Sequence, residues 1–264
     1  MEAEAWIRLA TFAFVFGAVA VWESAAPRRK ALYTRSTRWP HNLGLLLADV
    51  VVLRLLAPGA AIGVALAAEE GGWGLLNAVS LPWWMAVPVG VVLLDLVIYL
   101  QHVMFHAAPT LWRLHRVHHA DLDFDVTTGT RFHPVEILIS TLVKCAAVAA
   151  IGASPAAVLV FEVLLNATAM FNHANASLPW WVERWARWLV VTPDMHRVHH
   201  SMLDDESSSN FGFSLPWWDR LFGTYKAQPK LGHDAMTIGV DAFRSRKDVR
   251  LDQLLIQPFQ NMPG

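Results

Sequence analysis

Eight histidines stand at spacings that one helical face can use. His102 and His106 are four residues apart; His115, His118 and His119 form an HxxHH group; and the identical run HRVHH returns as His196, His199 and His200. A helix turns once per 3.6 residues, so positions i, i+3 and i+4 share a face. Neutral imidazole is a nitrogen ligand suited to iron, zinc, copper or nickel. A helical pair can grip one metal, and an HxxHH triple can divide its nitrogens between two neighbouring metals. Eight such residues exceed the needs of one tetrahedral zinc. They fit a two-metal centre with positions left open for oxygen or substrate. Any one of the chain's twelve histidines would ordinarily be a surface or core residue; two identical HxxHH groups plus an HxxxH in one chain are not explained that way.

Composition says what kind of scaffold must hold these residues. Of 264 residues 55% are hydrophobic and only 16% charged, and the mean hydropathy of +0.34 is too apolar for an ordinary soluble domain and fits a membrane protein. The formal net charge of −1 gives no reason to expect a nucleic-acid partner. The single cysteine, Cys145, lies in an apolar run, so it offers no internal disulfide and no CxxC site and reads as a packing residue. Tryptophan pairs follow proline at Pro82-Trp83-Trp84, Pro179-Trp180-Trp181 and Pro216-Trp217-Trp218; they read either as anchors at the membrane–water interface or as core aromatics.

The expected fold is all-α and membrane-embedded, one domain from 1 to 264. N-terminal membrane helices fill 1–82, the histidine core 83–226 and a soluble tail 227–264. A first helix spans about Ala5 to Trp22 and is read as retained rather than as a signal peptide, because Glu2 and Glu4 stand where a basic leader would begin. The connector with Arg28, Arg29, Lys30, Arg35 and Arg38 is assigned to the cytoplasm by its positive charge. A second helix runs from about Leu43 to Ala67, kinked or ended at Pro58-Gly59, with Asp49 and Arg54 facing protein or the interface. A third runs from about Trp83 to His106. Asp95, seven residues before His102, is a candidate partner for a ligand imidazole or else a hydrogen-bonded buried acid. The segment from Asp121 to Arg131 reads as a polar connector. Pro134 to Ile151 and Ala156 to Met170 form an apolar hairpin turning at Gly152-Ala153-Ser154-Pro155. Five crossings then bring His133, His173 and all three histidine groups to the cytoplasmic face, where a helical cap holds the dimetal site. WWVERWARWL reads as an interfacial helix with Glu183, Arg184 and Arg187 toward water, and Thr192-Pro193-Asp194 as the start of the helix carrying His196, His199 and His200. His41 and His233 are left structural.

HVMFH (102–106) and the two HRVHH runs (115–119 and 196–200) resemble the three histidine boxes of the fatty acid hydroxylase / sterol desaturase superfamily. RFHPVE (131–136), FNHAN (171–175) and WDRLFGT within 210–225 support the resemblance, which covers roughly residues 83 to 226. It implies a non-haem di-iron centre that activates O2, the co-substrate, at an unactivated C–H bond of a fatty-acyl or sterol-like lipid. The ligands it implies here are His102, His106, His115, His118, His119, His196, His199 and His200, with His173 a ninth and His133 a ligand or a partner to one. Zinc can replace iron in purified protein, because it lies higher in the affinity order.

No haem, dinucleotide or iron–sulfur motif is recognised in the chain, so a separate ferredoxin or cytochrome with its reductase is expected to supply electrons. Hydroxylation is the leading expectation, and desaturation at the same site is the alternative. A metal transporter is the competing class, and it would place its ligands near the bilayer midplane rather than at helix ends. A zinc hydrolase would need an acid beside a three-ligand site; Glu136 and Glu162 are the acids near the last two apolar segments, and neither lies in a histidine group.

Overall fold

A computed structural model of the chain describes residues 2–79 and 81–261. Among these the regular structure is helical, with one isolated β-bridge between Ser201 and Ile238. Five helical stretches are long and apolar enough to cross a membrane. The first is α1 (Glu2–Ala25). The second is made of α2 (Arg35–Leu56) and α3 (Ala60–Gly71), interrupted at Ala57-Pro58-Gly59. Proline cannot donate to the ladder there, and Gly59 at φ +64° takes the left-handed conformation that restarts the chain. The third is α4 (Trp83–Ala107), followed at once by the short α5 (Pro109–His119). The last two, α6 (Pro134–Ile151) and α7 (Pro155–Asn172), are the expected hairpin. It turns on Gly152 at φ +69°, and the Ser154 side chain accepts from Ala157 N to start α7.

Apolar side chains on both sides of each crossing explain the arrangement. Trp6, Leu9 and Phe14 of α1 are exposed outward, while Phe12, Phe16 and Val19 pack with Met170, Ala174 and Val126. The main core lies between α3, α4, α6 and α7, around Ala65, Leu94, Ile98, Val148, Ala157 and Phe161. Glu162 on α7 joins three crossings through ion pairs to Arg8 (2.5 Å) and Lys144. Asp49 is buried, as required of an acid in this setting, whereas Arg54 is exposed one turn before the break.

Chain direction brings five ends together. The C-termini of α1, α4 and α7 and the N-termini of α2 and α6 meet at the end of the bundle that carries the histidines. Glu23, near the end of α1, accepts from the backbone N–H groups of Val126 (2.7 Å) and Asn175 (2.8 Å). The basic connector lies at this same end: Arg28 N donates to Asn175 O at 2.9 Å.

Three expectations are revised here. Helix α2 begins at Arg35, well before Leu43, so half of the basic connector is helical. The segment from Asp121 to Arg131 is buried along its length. Its acids are held by Arg38, which reaches Asp121 with Nε (2.9 Å) and Nη2 (2.6 Å) and Asp125 with Nη1 (2.6 Å). Arg131 lies 3.5 Å from Asp121, and Asn42 donates to Thr127 at 2.9 Å. Paired and hydrogen-bonded in this way, the charges of the polar connector form the platform beneath the first HxxHH helix. The C-terminal residues are also folded onto the core. In the helix Leu251–Ile256, Leu254 is buried with Leu45 and Val117, and Arg116 donates to the carbonyls of Gln257 and Gln260.

Candidate metal centre

Two short helices complete the cap: α8 (Trp180–Ala186) and α9 (Pro193–His199). Thr192 accepts from Met195 N at 3.4 Å, so the threonine–proline start anticipated for α9 is present. Along α8 the indoles of Trp180, Trp181 and Trp185 are exposed. Glu183, anticipated toward water, instead accepts from Thr192 at 2.7 Å and ties α8 to α9.

All three histidine groups and His173 converge, each from a different element. His102 and His106 come from the last two turns of α4, His115, His118 and His119 from α5, His173 from the C-cap of α7, and His196, His199 and His200 from α9 and its C-cap. Their donor atoms form two sets, each within 4.8 Å: His102, His106, His115, His119 and His199 in one, and His118, His173, His196 and His200 in the other. Each HxxHH is divided between the sets, the first giving two residues and one, the second one and two. In each run the i, i+4 pair goes to one set and the residue between them to the other.

The nitrogen spacing fits a bound metal better than a hydrogen-bond network. Nε2 of His102 is 3.1 Å from that of His115 and 3.0 Å from that of His199. Nε2 of His173 lies 3.1, 3.2 and 3.1 Å from those of His118, His200 and His196. One ring nitrogen can share at most one proton, so three such neighbours cannot all be hydrogen bonds. Two nitrogens bound to one metal at roughly 2.1 Å lie about 3.0 Å apart at a right angle and about 3.4 Å apart at the tetrahedral angle. The donor sets therefore suit metal ions with nitrogen ligands at near-right angles.

The far sides of the rings are held to match. Nδ1 of His102 donates to Phe211 O (2.8 Å), of His173 to Ala169 O (2.7 Å) and of His199 to Ser209 O (2.8 Å). A carbonyl can only accept, so these rings carry the proton on Nδ1 and turn the Nε2 lone pair inward. Burial disfavours the charged imidazolium and pushes His115 down to about 3 and His173 to about 4. His118, His119, His196, His199 and His200 lie well below the ordinary value for the same reason, with neighbouring histidines adding to it. Neutral imidazoles are the form that binds metal.

Two anticipated partners lie elsewhere. Among the described residues Asp95 hydrogen-bonds to no histidine: it accepts from Trp218 Nε1 (2.8 Å) and Leu215 N (3.3 Å), two turns deeper in the bundle, and so anchors the loop whose Phe211 carbonyl holds His102. His133 is outside both sets. Its Nδ1 accepts from Val135 N at 3.2 Å as the N-cap of α6, and its Nε2 donates to Leu255 O at 3.1 Å. Among the described residues the carboxylate hydrogen-bonded to a histidine of the two sets is Glu136, with Oε1 2.6 Å from His115 Nδ1. Its position in the first turn of an apolar helix, three residues after His133, was the available signal.

A cavity of about 310 Å³ opens beside the first set, inside the helix bundle. His102, His115, Phe105, Phe132 and Phe213 line its near end, and Leu53, Ile137 and Leu165 its walls.

The chain matches the fatty acid hydroxylase family over residues 87–224, more than half of its length. An alkylglycerol monooxygenase of Xenopus tropicalis is 29% identical over 194 residues, 70% of this chain and 41% of that protein. An ornithine lipid hydroxylase of Rhizobium tropici is 28% identical over 150 residues, 56% of this chain and 44% of that protein. A cholesterol 25-hydroxylase of Rattus norvegicus is 28% identical over 146 residues, 54% and 47% respectively. The chain thus spans less than half of the length of each of these relatives. No solved structure gives a significant match.

Proposed function

This chain belongs to the fatty acid hydroxylase family, and we propose that it is a membrane-bound, O2-dependent hydroxylase of a lipid C–H bond with two iron ions held by the nine histidines. The observation that carries the reading is the pair of largely buried donor sets, the first of which borders a cavity within the membrane bundle. The names of the three relatives, all hydroxylases or monooxygenases of lipids, favour hydroxylation over desaturation.

When bound, a two-iron centre supplies the activation of dioxygen that an unactivated C–H bond requires. The chain's own residues do the rest. His102, His106, His115, His119 and His199 would hold one ion, and His118, His173, His196 and His200 the other. The carbonyls of Phe211, Ser209 and Ala169 fix ring orientation, and Glu136 fixes that of His115. Phe105, Phe132 and Phe213 exclude water from the near end of the cavity and set an apolar carbon chain against His102 and His115. Electrons come from a separate carrier. The Arg28–Arg38 connector lies at the histidine end of the bundle, which supports a cytoplasmic orientation for the centre by the positive-inside rule.

The test is a comparative lipidome of cells expressing wild type or His199→Ala beside a ferredoxin and its reductase. A lipid that gains one oxygen only with the wild type is the expected result. A lipid that loses two hydrogens would convert the reading to a desaturase. No new mass from protein carrying two irons would count against both.

A further inference from the structure

The cavity beside His102 and His115 is not lined as a plain alkyl chain would require. Asp49 lies on its wall, only 4% exposed, and its Oδ1 meets no hydrogen-bond partner among the described residues. It is seven residues beyond Asn42 on α2, hence about 10 Å deeper into the bundle than the platform that Asn42 joins. A buried carboxyl without a partner is costly in a membrane protein and marks a site by default. The nearby cations do not relieve it: Lys144 and Arg8 are both committed to Glu162. The second oxygen of Glu136 faces the same cavity and is likewise without a partner. Gln101 Nε2 donates to Ser140 Oγ at 2.7 Å on the same wall.

We propose that this cavity binds an amphiphile carrying an O–H or N–H donor, and that Asp49 is the acceptor that selects it. Burial in an apolar cavity without a cation disfavours an anionic headgroup, and the two carboxyl groups leave acceptor oxygens that only a donor satisfies. An unsubstituted chain, an ester or an ether would leave them unmet. The ligand then lies with its donor at Asp49 and its apolar carbons between Phe105, Phe132 and Phe213, toward the histidines. The identity of this ligand as the substrate rests on the hydroxylase reading; its binding does not.

The experiment is equilibrium binding to the full chain in detergent, loaded with zinc so that no turnover occurs. Tritiated oleyl alcohol is the probe, with oleyl methyl ether, oleylamine and oleate as competitors. The alcohol and the amine should each bind about ten-fold more tightly than the ether, the loss expected for a buried acceptor left unmet. Asp49→Leu should bring the alcohol down to the affinity of the ether while leaving the ether unchanged. Asp49→Asn keeps the size and an acceptor oxygen, and should retain the alcohol preference, which separates loss of the acceptor from loss of the fold. Three results would overturn the proposal: equal binding of alcohol and ether by the wild type, an alcohol preference that survives Asp49→Leu, as direct coordination to zinc would give, or tightest binding of oleate. Because no step is catalytic, failure of the hydroxylase reading leaves these outcomes intact.

Discussion

Glu136→Gln probes the centre through a residue that is not itself a ligand. The Glu136 carboxylate lies 2.6 Å from His115 Nδ1, at 4% exposure. A hydrogen bond to a charged group is worth roughly 1.5–3 kcal/mol and a neutral one roughly 0.5–1.5 kcal/mol. Glutamine keeps the acceptor oxygen and loses the charge, so the change should cost about 1–1.5 kcal/mol of metal binding, or about ten-fold in affinity. Glu136→Leu removes the acceptor as well and should approach the hundred-fold end of what partner residues to metal-bound histidines contribute. The loss should fall on one ion only, because His115 belongs to the first donor set and Glu136 touches no histidine of the second. Anaerobic titration with ferrous iron against a chromogenic chelator resolves the two sites. At limiting free metal the glutamine variant should hold about one ion per chain where the wild type holds two. Equal weakening of both sites, or no change in either, would refute the assignment of Glu136 to one set and with it the division of the histidines.

Further outcomes follow from the platform, the strap and the burial of the histidines. Arg38→Met removes the buried cation shared by Asp121, Asp123 and Asp125, leaving Asp121 only Arg131 at 3.5 Å, and should cost about 3–5 kcal/mol of stability; thermal melts in detergent should show this, with part of the loss returned by Asp121→Asn in the same chain. Leu254→Ala should cost about 2–5 kcal/mol and weaken metal retention, since Leu254 is fully buried against Val117, between His115 and His118; an unchanged melting temperature would show that the C-terminal strap is dispensable. Metal-free protein should lose stability as pH falls. Burial holds His115 at about 3 and His173 at about 4, below the 6.5 of an exposed histidine, so between these values the unfolded chain binds more protons. The stabilisation is present above pH 6.5 and is lost as pH falls toward 4; a melting temperature that stays flat over this interval would contradict the burial of neutral rings.

The crossings and the centre differ in how they are written into the chain. Each crossing is a local property: the apolar runs that make α4, α6 and α7 are long enough by themselves, and Pro58-Gly59 and Gly152 break the chain wherever it lies. The three histidine groups are likewise legible, because helical period puts i, i+3 and i+4 together before any packing occurs. Even His173, alone in its segment, was within reach once the hairpin was seen to return the chain to the side from which it left.

What the sequence could not decide is which charges meet. Asp121, Asp123 and Asp125 read as part of a polar connector; they are buried because Arg38 comes to them from more than eighty residues away. Asp95 stands on the favourable side of His102 by periodicity, yet Trp218 and Leu215 reach it first. Glu136 lies outside every histidine group and still holds His115. Helix periodicity fixes the direction of a side chain on its own element, whereas partners across elements depend on how the crossings dock. That is why eight of the histidines could be listed from their spacing and His173 added by the family resemblance, while their division into five and four, and the acids that support them, came from the tertiary structure.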